Sequence, residues 1–298
     1  MQNFPGEGIL MGRASGWKAA EEKPVVVLGA GGLLAKAIVA TLEDQDHHYV
    51  ALSESSLDIT YEGGVRALLK GLNPGVVINA AGYTDIDGAE GDPERAFEVN
   101  GAGAGNVAGV CAELGALVVH VSTDYVFDGT GLSVYLPKDK PEPVNVYGKS
   151  KLEGERLVRE KAKNHLIVRT SLLFGPGGKN LVNTLFEGKR APMEIPVDRI
   201  VSPTYTRHLA DGMIRLANKG ARGTFHLCNT GQCSLYAFAR EVVRQGKGKT
   251  AVYPVHSRSI KRPAARILNG ALDCSSSYDI LGSPLPPWEA ALGEYIGS

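Results

Sequence analysis

The chain has 298 residues, enough for one large α/β domain or two smaller lobes, each with its own core. Lys+Arg and Asp+Glu both total 32, so no global field favours nucleic acid or an anionic membrane surface. Four cysteines without metal-type or redox-type spacing read as reduced thiols, and no apolar run reaches transmembrane length. A cytoplasmic protein without a metal site is expected.

Residues 1–23 carry Gly6, Gly8, Gly12 and Gly16 and no continuous apolar stretch; they read as a flexible extension, not a secretory signal. Pro24-Val-Val-Val-Leu28 is then a β-branched run, followed at once by Gly29-Ala-Gly-Gly-Leu-Leu-Ala35 and an apolar-periodic helix. Strand, glycine turn and helix in this order make a dinucleotide-binding start. Gly29 permits the tight turn, and Gly31 and Gly32 let backbone approach a pyrophosphate at the helix N-terminus. The spacing is Gly-x-x-Gly-x-x-Ala, with Leu34 where the usual fingerprint has glycine.

Further strands are predicted at Tyr49–Leu52, Val76–Asn79, Leu117–Val121 and Leu166–Val168. Helices are predicted at Leu33–Leu42, Gly64–Leu72, Pro93–Leu114 and Asn145–Lys161. This alternation means a parallel, doubly wound sheet of the Rossmann type, with ligands outside the carboxyl ends of its strands. After about Gly175, prolines loosen the pattern. Thr224–Asn229 reads as a returning strand, Leu235–Val243 and Trp288–Ile296 as helices. The expected organisation is a dinucleotide-binding domain over 24–175, then a smaller substrate lobe over 176–298 interleaved with the end of the sheet.

Two polar motifs lie at strand ends. Ser122-Thr123-Asp124 follows the strand Leu117–Val121, and Thr123 is placed to orient a substrate carbonyl. Tyr147-Gly-Lys-Ser-Lys151 puts a phenol and an ammonium on one helix face at i,i+4. A phenol is a poor acid at neutral pH, and a neighbouring ammonium is expected to pull its pKa toward the working range. Such a pair protonates a carbonyl oxygen while hydride reaches the carbon.

With these motifs the chain resembles the extended short-chain dehydrogenases/reductases and, more narrowly, the dTDP-4-dehydrorhamnose reductases. The narrower likeness rests on Ile78-Asn-Ala-Ala-Gly-Tyr-Thr84, His120-Val-Ser-Thr-Asp-Tyr-Val-Phe-Asp-Gly129, Asn145–Glu155, Arg169-Thr-Ser171, Ser202-Pro-Thr204, Gly223-Thr-Phe-His226, Arg262-Pro263 and Leu285-Pro-Pro-Trp288. The resemblance implies reduction of the 4-keto group of dTDP-4-dehydro-6-deoxy-L-mannose to dTDP-L-rhamnose. It assigns Tyr147 as proton donor, Lys151 to the nicotinamide ribose, Thr123 to complete the triad and Asp124 to the substrate. It gives Gly32-Leu33-Leu34 to the pyrophosphate, Asp58-Ile59 to the adenine side, and Ala81-Gly82-Tyr83-Thr84 to the cofactor ribose and phosphates.

Two positions depart from that pattern. Leu172 stands where the family usually has tryptophan, which puts the identity of the sugar in question. Ser53 replaces the acid that would grip a ribose diol, so nothing repels a 2′-phosphate. That points to NADPH, with NADH the alternative because Glu54 is adjacent. In the basic run of the tail, Arg262 is the candidate for the diphosphate of a nucleotide-sugar. Two other readings stand beside the reductase: reduction of another nucleotide-linked keto-deoxysugar, and a non-catalytic subunit resembling the regulatory β-subunit of methionine adenosyltransferase. The sequence leaves a homodimer open.

Overall fold

The computed structural model describes residues 9–12, 23–186, 192–246 and 250–297. In chain order the first half contains β1 (Ile9–Gly12), β2 (Val25–Leu28), α1 (Leu33–Asp44), β3 (Tyr49–Leu52), α2 (Glu62–Leu72), β4 (Val76–Asn79), α3 (Ile86–Gly91) and α4 (Pro93–Phe97). A π-helical turn (Glu98–Gly103) leads into α5 (Ala104–Leu114), followed by β5 (Leu117–Thr123), α6 (Val146–Lys161) and β6 (His165–Thr170). The second half adds β7 (Leu173–Phe174), α7 (Leu181–Phe186), β8 (Met193–Pro196), β9 (Ile200–Val201), β10 (Thr204–Tyr205), α8 (Thr206–Asn218), β11 (Gly223–His226), β12 (Cys233–Ser234), α9 (Leu235–Gly246), β13 (Val252–Val255), α10 (Ser275–Leu281) and α11 (Trp288–Gly297).

Seven strands form one sheet in the order β1-β3-β2-β4-β5-β6-β11. All neighbours run parallel except the edge pair β1–β3, with Leu10 opposite Ala51. This is the doubly wound sheet expected from the alternation. Its central strands are apolar on both faces because helices cover both. On one face, Leu34, Ile38 and Leu42 of α1 pack with Leu209, Met213 and Leu216 of α8. On the other, Val65 and Leu69 of α2, Val107 and Val110 of α5 and Val158 of α6 form the second core. A third apolar cluster, with Phe174, Leu185, Phe238, Trp288 and Leu292, joins the short strands and helices of the C-terminal part.

The sequence reading and the fold differ in several places, the short helices α3, α7 and α10 and the short strands of the second half among them. It put no element in 1–23, whereas Ile9–Gly12 pairs with β3; the rest of 1–22 lies outside the described residues. Pro93–Leu114 is interrupted by the π turn, which α6 crowds: a Cβ at Gly154 would run into the Asn100 carbonyl oxygen. Finally, α8 was missed, although Leu209, Ala210, Met213, Ile214 and Leu216 form a helical apolar stripe. Among the described residues no helix is long and apolar enough to cross a membrane.

Candidate active site

The candidate reacting groups meet at the carboxyl ends of β5 and β6. Asn145 caps α6, its side chain accepting from the Gly148 N–H at 2.7 Å, while its amide donates to the Ala265 carbonyl at 2.8 Å. That cap fixes the helical phase, so Tyr147, Lys151, Glu155 and Val158 form one buried stripe against the sheet. Glu155 anchors the stripe below the site. It accepts from Ser122 at 2.6 Å and from Arg169 at 2.8 and 2.7 Å. Burial raises its pKa, but the hydrogen bonds and charge of Arg169, helped by Ser122 and Arg159, outweigh this and hold it below its ordinary value.

Tyr147 hydrogen-bonds Thr123, and the Thr123 hydroxyl donates to Asp124 Oδ1 at 2.9 Å. The other oxygen of Asp124 accepts from Ser171 at 2.7 Å. Gly270 faces this carboxyl so closely that any side chain there would strike it. The result is a buried chain of four hydroxyl and carboxyl groups. Burial pushes the Asp124 carboxyl up to about 6 against the opposing hydrogen bonds of Ser171 and Thr123. Lys151 donates to the Val121 carbonyl at 2.6 Å, and burial lowers its ammonium to about 8. The expectation that this ammonium depresses the Tyr147 pKa is not met in this state. Burial raises the phenol, with only the Thr123 hydrogen bond opposing.

The residues expected to hold a dinucleotide border this network. Gly29 sits at φ +83, and a Cβ there would lie 2.7 Å from the Ala81 backbone, so only glycine lets β2 and β4 deliver their loops side by side. Gly31 faces open space, and Gly32 caps α1 without a side-chain partner, leaving the backbone N–H groups of the first turn for an anion. Leu33 is half-buried and Leu34 fully so. Asn100 clamps the next segment: it accepts from the Tyr83 N–H and donates to the Tyr83 carbonyl and to Ser150, each at 2.9 Å. A Cβ built on Gly82 would lie 3.8 Å from Lys151 Nζ, so the Ala81–Thr84 segment borders the ammonium. At the far end, Ser53 is half-buried and bonded to Ser55 at 2.8 Å, while Glu54 pairs with Arg95 at 3.2 Å. Asp58 accepts from Thr60, which lowers its pKa; Ile59 is buried beneath Gly103.

The substrate candidates are less uniform. Leu172 has φ +32 and packs on the C-terminal apolar cluster, directly after Ser171. Arg262 is exposed but belongs to a group of three guanidiniums around Tyr125: burial lowers its pKa, with repulsion from Arg266 and Arg199. Asp87 neutralises Arg266 through two bonds, 2.9 and 2.7 Å. Arg199 donates to the Tyr125 hydroxyl at 3.0 Å, and its Nε is buried without a partner. Tyr125 in turn stands edge-on to Tyr147, ring centroids 5.7 Å apart. The sequence reading omitted Asn100, Tyr125, Ser171 and Arg199 from the site. Ser171 lay in a quoted motif, whereas Asn100 and Arg199 carry no local signal and arrive through folding. An open cleft of about 700 Å³ elsewhere, lined by Lys138, Lys149 and Arg156, contains none of the reacting groups.

A glycine turn feeding the first helix of a Rossmann sheet, with a buried Tyr-x-x-x-Lys pair over its central strands, defines a dinucleotide-dependent oxidoreductase of the short-chain class. The chain belongs to the family described as the RmlD substrate binding domain, whose model matches residues 23–298. It is 36% identical over 290 residues to a dTDP-4-dehydrorhamnose reductase of Mycobacterium tuberculosis, covering 94% of each chain. It is 34% identical over 278 residues to the spore coat polysaccharide biosynthesis protein SpsK of Bacillus subtilis, covering 91% of this chain and 96% of that one. Among solved structures, the dTDP-4-dehydrorhamnose reductase of Bacillus anthracis in complex with NADP superposes with a TM-score of 0.88 at 33% identity, covering 92% of this chain and 99% of the other.

Proposed function

We propose that this chain is an NAD(P)H-dependent reductase of a nucleotide-linked 4-keto-6-deoxysugar, converting dTDP-4-dehydrorhamnose to dTDP-L-rhamnose. The observation that carries this reading is the buried Tyr147–Thr123–Asp124 network beside Lys151, in a chain whose relatives are dTDP-4-dehydrorhamnose reductases. Bound NADPH, or NADH in its place, supplies the hydride.

The other roles belong to the chain. Gly29, Gly31, Gly32, Leu33 and Leu34 hold the pyrophosphate at the start of α1. Ser53, Asp58 and Ile59 border the adenosine, and Ala81, Gly82, Tyr83 and Thr84 line the ribose. Lys151, facing Gly82, holds the nicotinamide ribose, and its charge beside the site favours the phenolate that remains after proton transfer. Tyr147 gives its proton to the 4-keto oxygen, and Thr123 holds that oxygen in line. Asp124 fixes the Thr123 hydroxyl and borders the sugar. Arg262 and Arg199 offer cationic partners for the diphosphate, since their charge is not cancelled as that of Arg266 is. In this reading residues 24–175 bind cofactor and 176–298 form the substrate lobe, with α8 and β11 crossing back to the sheet.

Leu172 favours a second reading, in which a different keto-deoxysugar occupies the pocket. Both are tested by incubating the purified protein with NADPH or NADH and a panel of dTDP-4-keto-6-deoxyhexoses, following cofactor oxidation and identifying the product by NMR. Absence of oxidation with every sugar would overturn the reductase assignment.

A further inference from the structure

One guanidinium lies at the loop after β3 and has no part in the roles assigned so far. In a doubly wound sheet this loop meets the adenosine ribose, and its charge decides whether a 2′-phosphate is accepted. Ser53 removes the acid that would repel the phosphate, but a missing repulsion is not an attraction. Residues 53–60 contain no lysine or arginine, so a cation for the phosphate has to come from elsewhere in the chain.

Arg95 comes from elsewhere. It stands in the first turn of α4, whose start is fixed by Pro93 and by the Asp92 side chain, which accepts from the Arg95 N–H at 3.0 Å. From there its side chain reaches back to a residue 41 positions earlier, Nη2 meeting Glu54 Oε1 at 3.2 Å. On its own side, Nη1 is held by Glu98 Oε2 at 2.8 Å. Among the described residues it is the only cation paired with a side chain of residues 53–60. Asp58 faces the same guanidinium: hydrogen bonds from Thr60 lower its pKa most, and the charge of Arg95 adds to them. Three carboxylates thus surround one cation, and they are not equivalent. The Glu54 side chain is 82% exposed and that of Arg95 32%, so Glu54 can turn into water while Glu98 keeps the guanidinium in place.

We propose that Arg95 determines specificity for the 2′-phosphate of NADPH, and that Glu54 holds the guanidinium until the phosphate displaces it. The forked N–H groups of a guanidinium match phosphate oxygens, and the phosphate takes the place that the Glu54 carboxylate leaves. NADH, with a ribose hydroxyl at that position, makes no such demand on Arg95. Without Arg95, the phosphate meets Glu54, Asp58 and Glu98 uncompensated. The inference rests on the cofactor site proposed above and is independent of which sugar is reduced.

The test therefore measures binding rather than turnover. NADPH and NADH are each titrated, by fluorescence, into the full chain as wild type, Arg95→Met and Glu54→Gln. In Arg95→Met, the Kd for NADPH should rise by about 10–100-fold, the worth of charge-assisted hydrogen bonds to the phosphate, while that for NADH stays nearly unchanged. Retained NADH binding in the same variant shows that the cleft is still folded. Glu54→Gln should tighten NADPH by about two- to fivefold, because an exposed competing ion pair is removed. The preference of the wild type for NADPH should shrink as salt rises, and that dependence should vanish in Arg95→Met. Equal loss of both dinucleotides in Arg95→Met, or no loss of either, overturns the assignment of Arg95. Weaker NADPH binding in Glu54→Gln overturns the competition. A wild type that binds neither dinucleotide overturns the cofactor site itself, and this proposal with it.

Discussion

The two ends of the proposed cofactor cleft are built on opposite principles. At the proposed reacting end, Tyr147, Thr123, Asp124 and Lys151 are buried; hydrogen bonds join the first three, and Lys151 donates to the Val121 carbonyl. At the proposed adenosine end, Gly31 faces open space, Ser53 bonds to a neighbouring serine, and Glu54 and Asp58 are exposed. The difference teaches where precision is required. Misplacing a proton donor by about 1 Å can cost about 10²-fold in rate, and burial holds these groups in place. Adenosine recognition contributes binding energy alone, and a solvated loop suffices.

The largest effect is expected where the buried network loses its acid. Tyr147→Phe should lower kcat by about 10²–10⁴ while NAD(P)H still binds, measured by steady-state kinetics and fluorescence titration. Near-normal turnover would remove Tyr147 from the acid role. Lys151 belongs to both ends of the contrast. Lys151→Met should reduce kcat and cofactor affinity together. In the wild type, affinity for NAD(P)H should fall as pH rises through about 8, where the buried ammonium loses its proton. A pH-independent affinity would separate Lys151 from the ribose.

Asp124 tests the cost of burial itself. Its folded carboxyl keeps a proton up to about pH 6, whereas an unfolded one loses it near 3.9, so the folded state binds more protons between these values. The associated stability is complete below about pH 3.9 and is lost as pH rises through about 6. Asp124→Asn removes that titration. Its stability relative to wild type should therefore rise with pH across this window, by at most about 3 kcal/mol at about 1.4 kcal/mol per unit. Urea unfolding at pH 5 and pH 8 reads the difference; equal offsets at both would deny the raised pKa.

At the open end, Ser53→Asp should weaken NADPH by about tenfold and spare NADH, through repulsion of a 2′-phosphate. Unchanged NADPH affinity would show that Ser53 does not face the ribose. The smallest effect is expected at Leu172→Trp. Leu172 packs on the lobe cluster, so an indole there should be tolerated and lower KM by no more than a few fold if the sugar is the rhamnose precursor. Loss of turnover would indicate that another sugar uses the space.

The order of strands, the glycine turn and the Tyr-x-x-x-Lys stripe were legible because they are local. A β-branched run, a residue that tolerates positive φ and an i,i+4 spacing are all written within a few residues. α8 was local too, its apolar stripe passed over, whereas β1 and the π turn were of another kind. β1 lies in a glycine-dotted segment and exists through pairing with the edge of β3, and the π turn answers the close approach of α6. The direction of the Tyr147 pKa was also misread, since sequence spacing reports a neighbouring charge but not desolvation.

Periodicity and side-chain chemistry were therefore enough for the scaffold and for naming the candidate reacting groups. What tertiary structure alone decided was their state. Burial raised the Tyr147 and Asp124 acids and turned Lys151 toward a strand-end carbonyl. Chain crossings also brought Asn100 onto the Tyr83 backbone and Arg199 onto Tyr125. Contacts between residues far apart in the chain depend on packing geometry, and no local pattern encodes how much water is excluded when they meet.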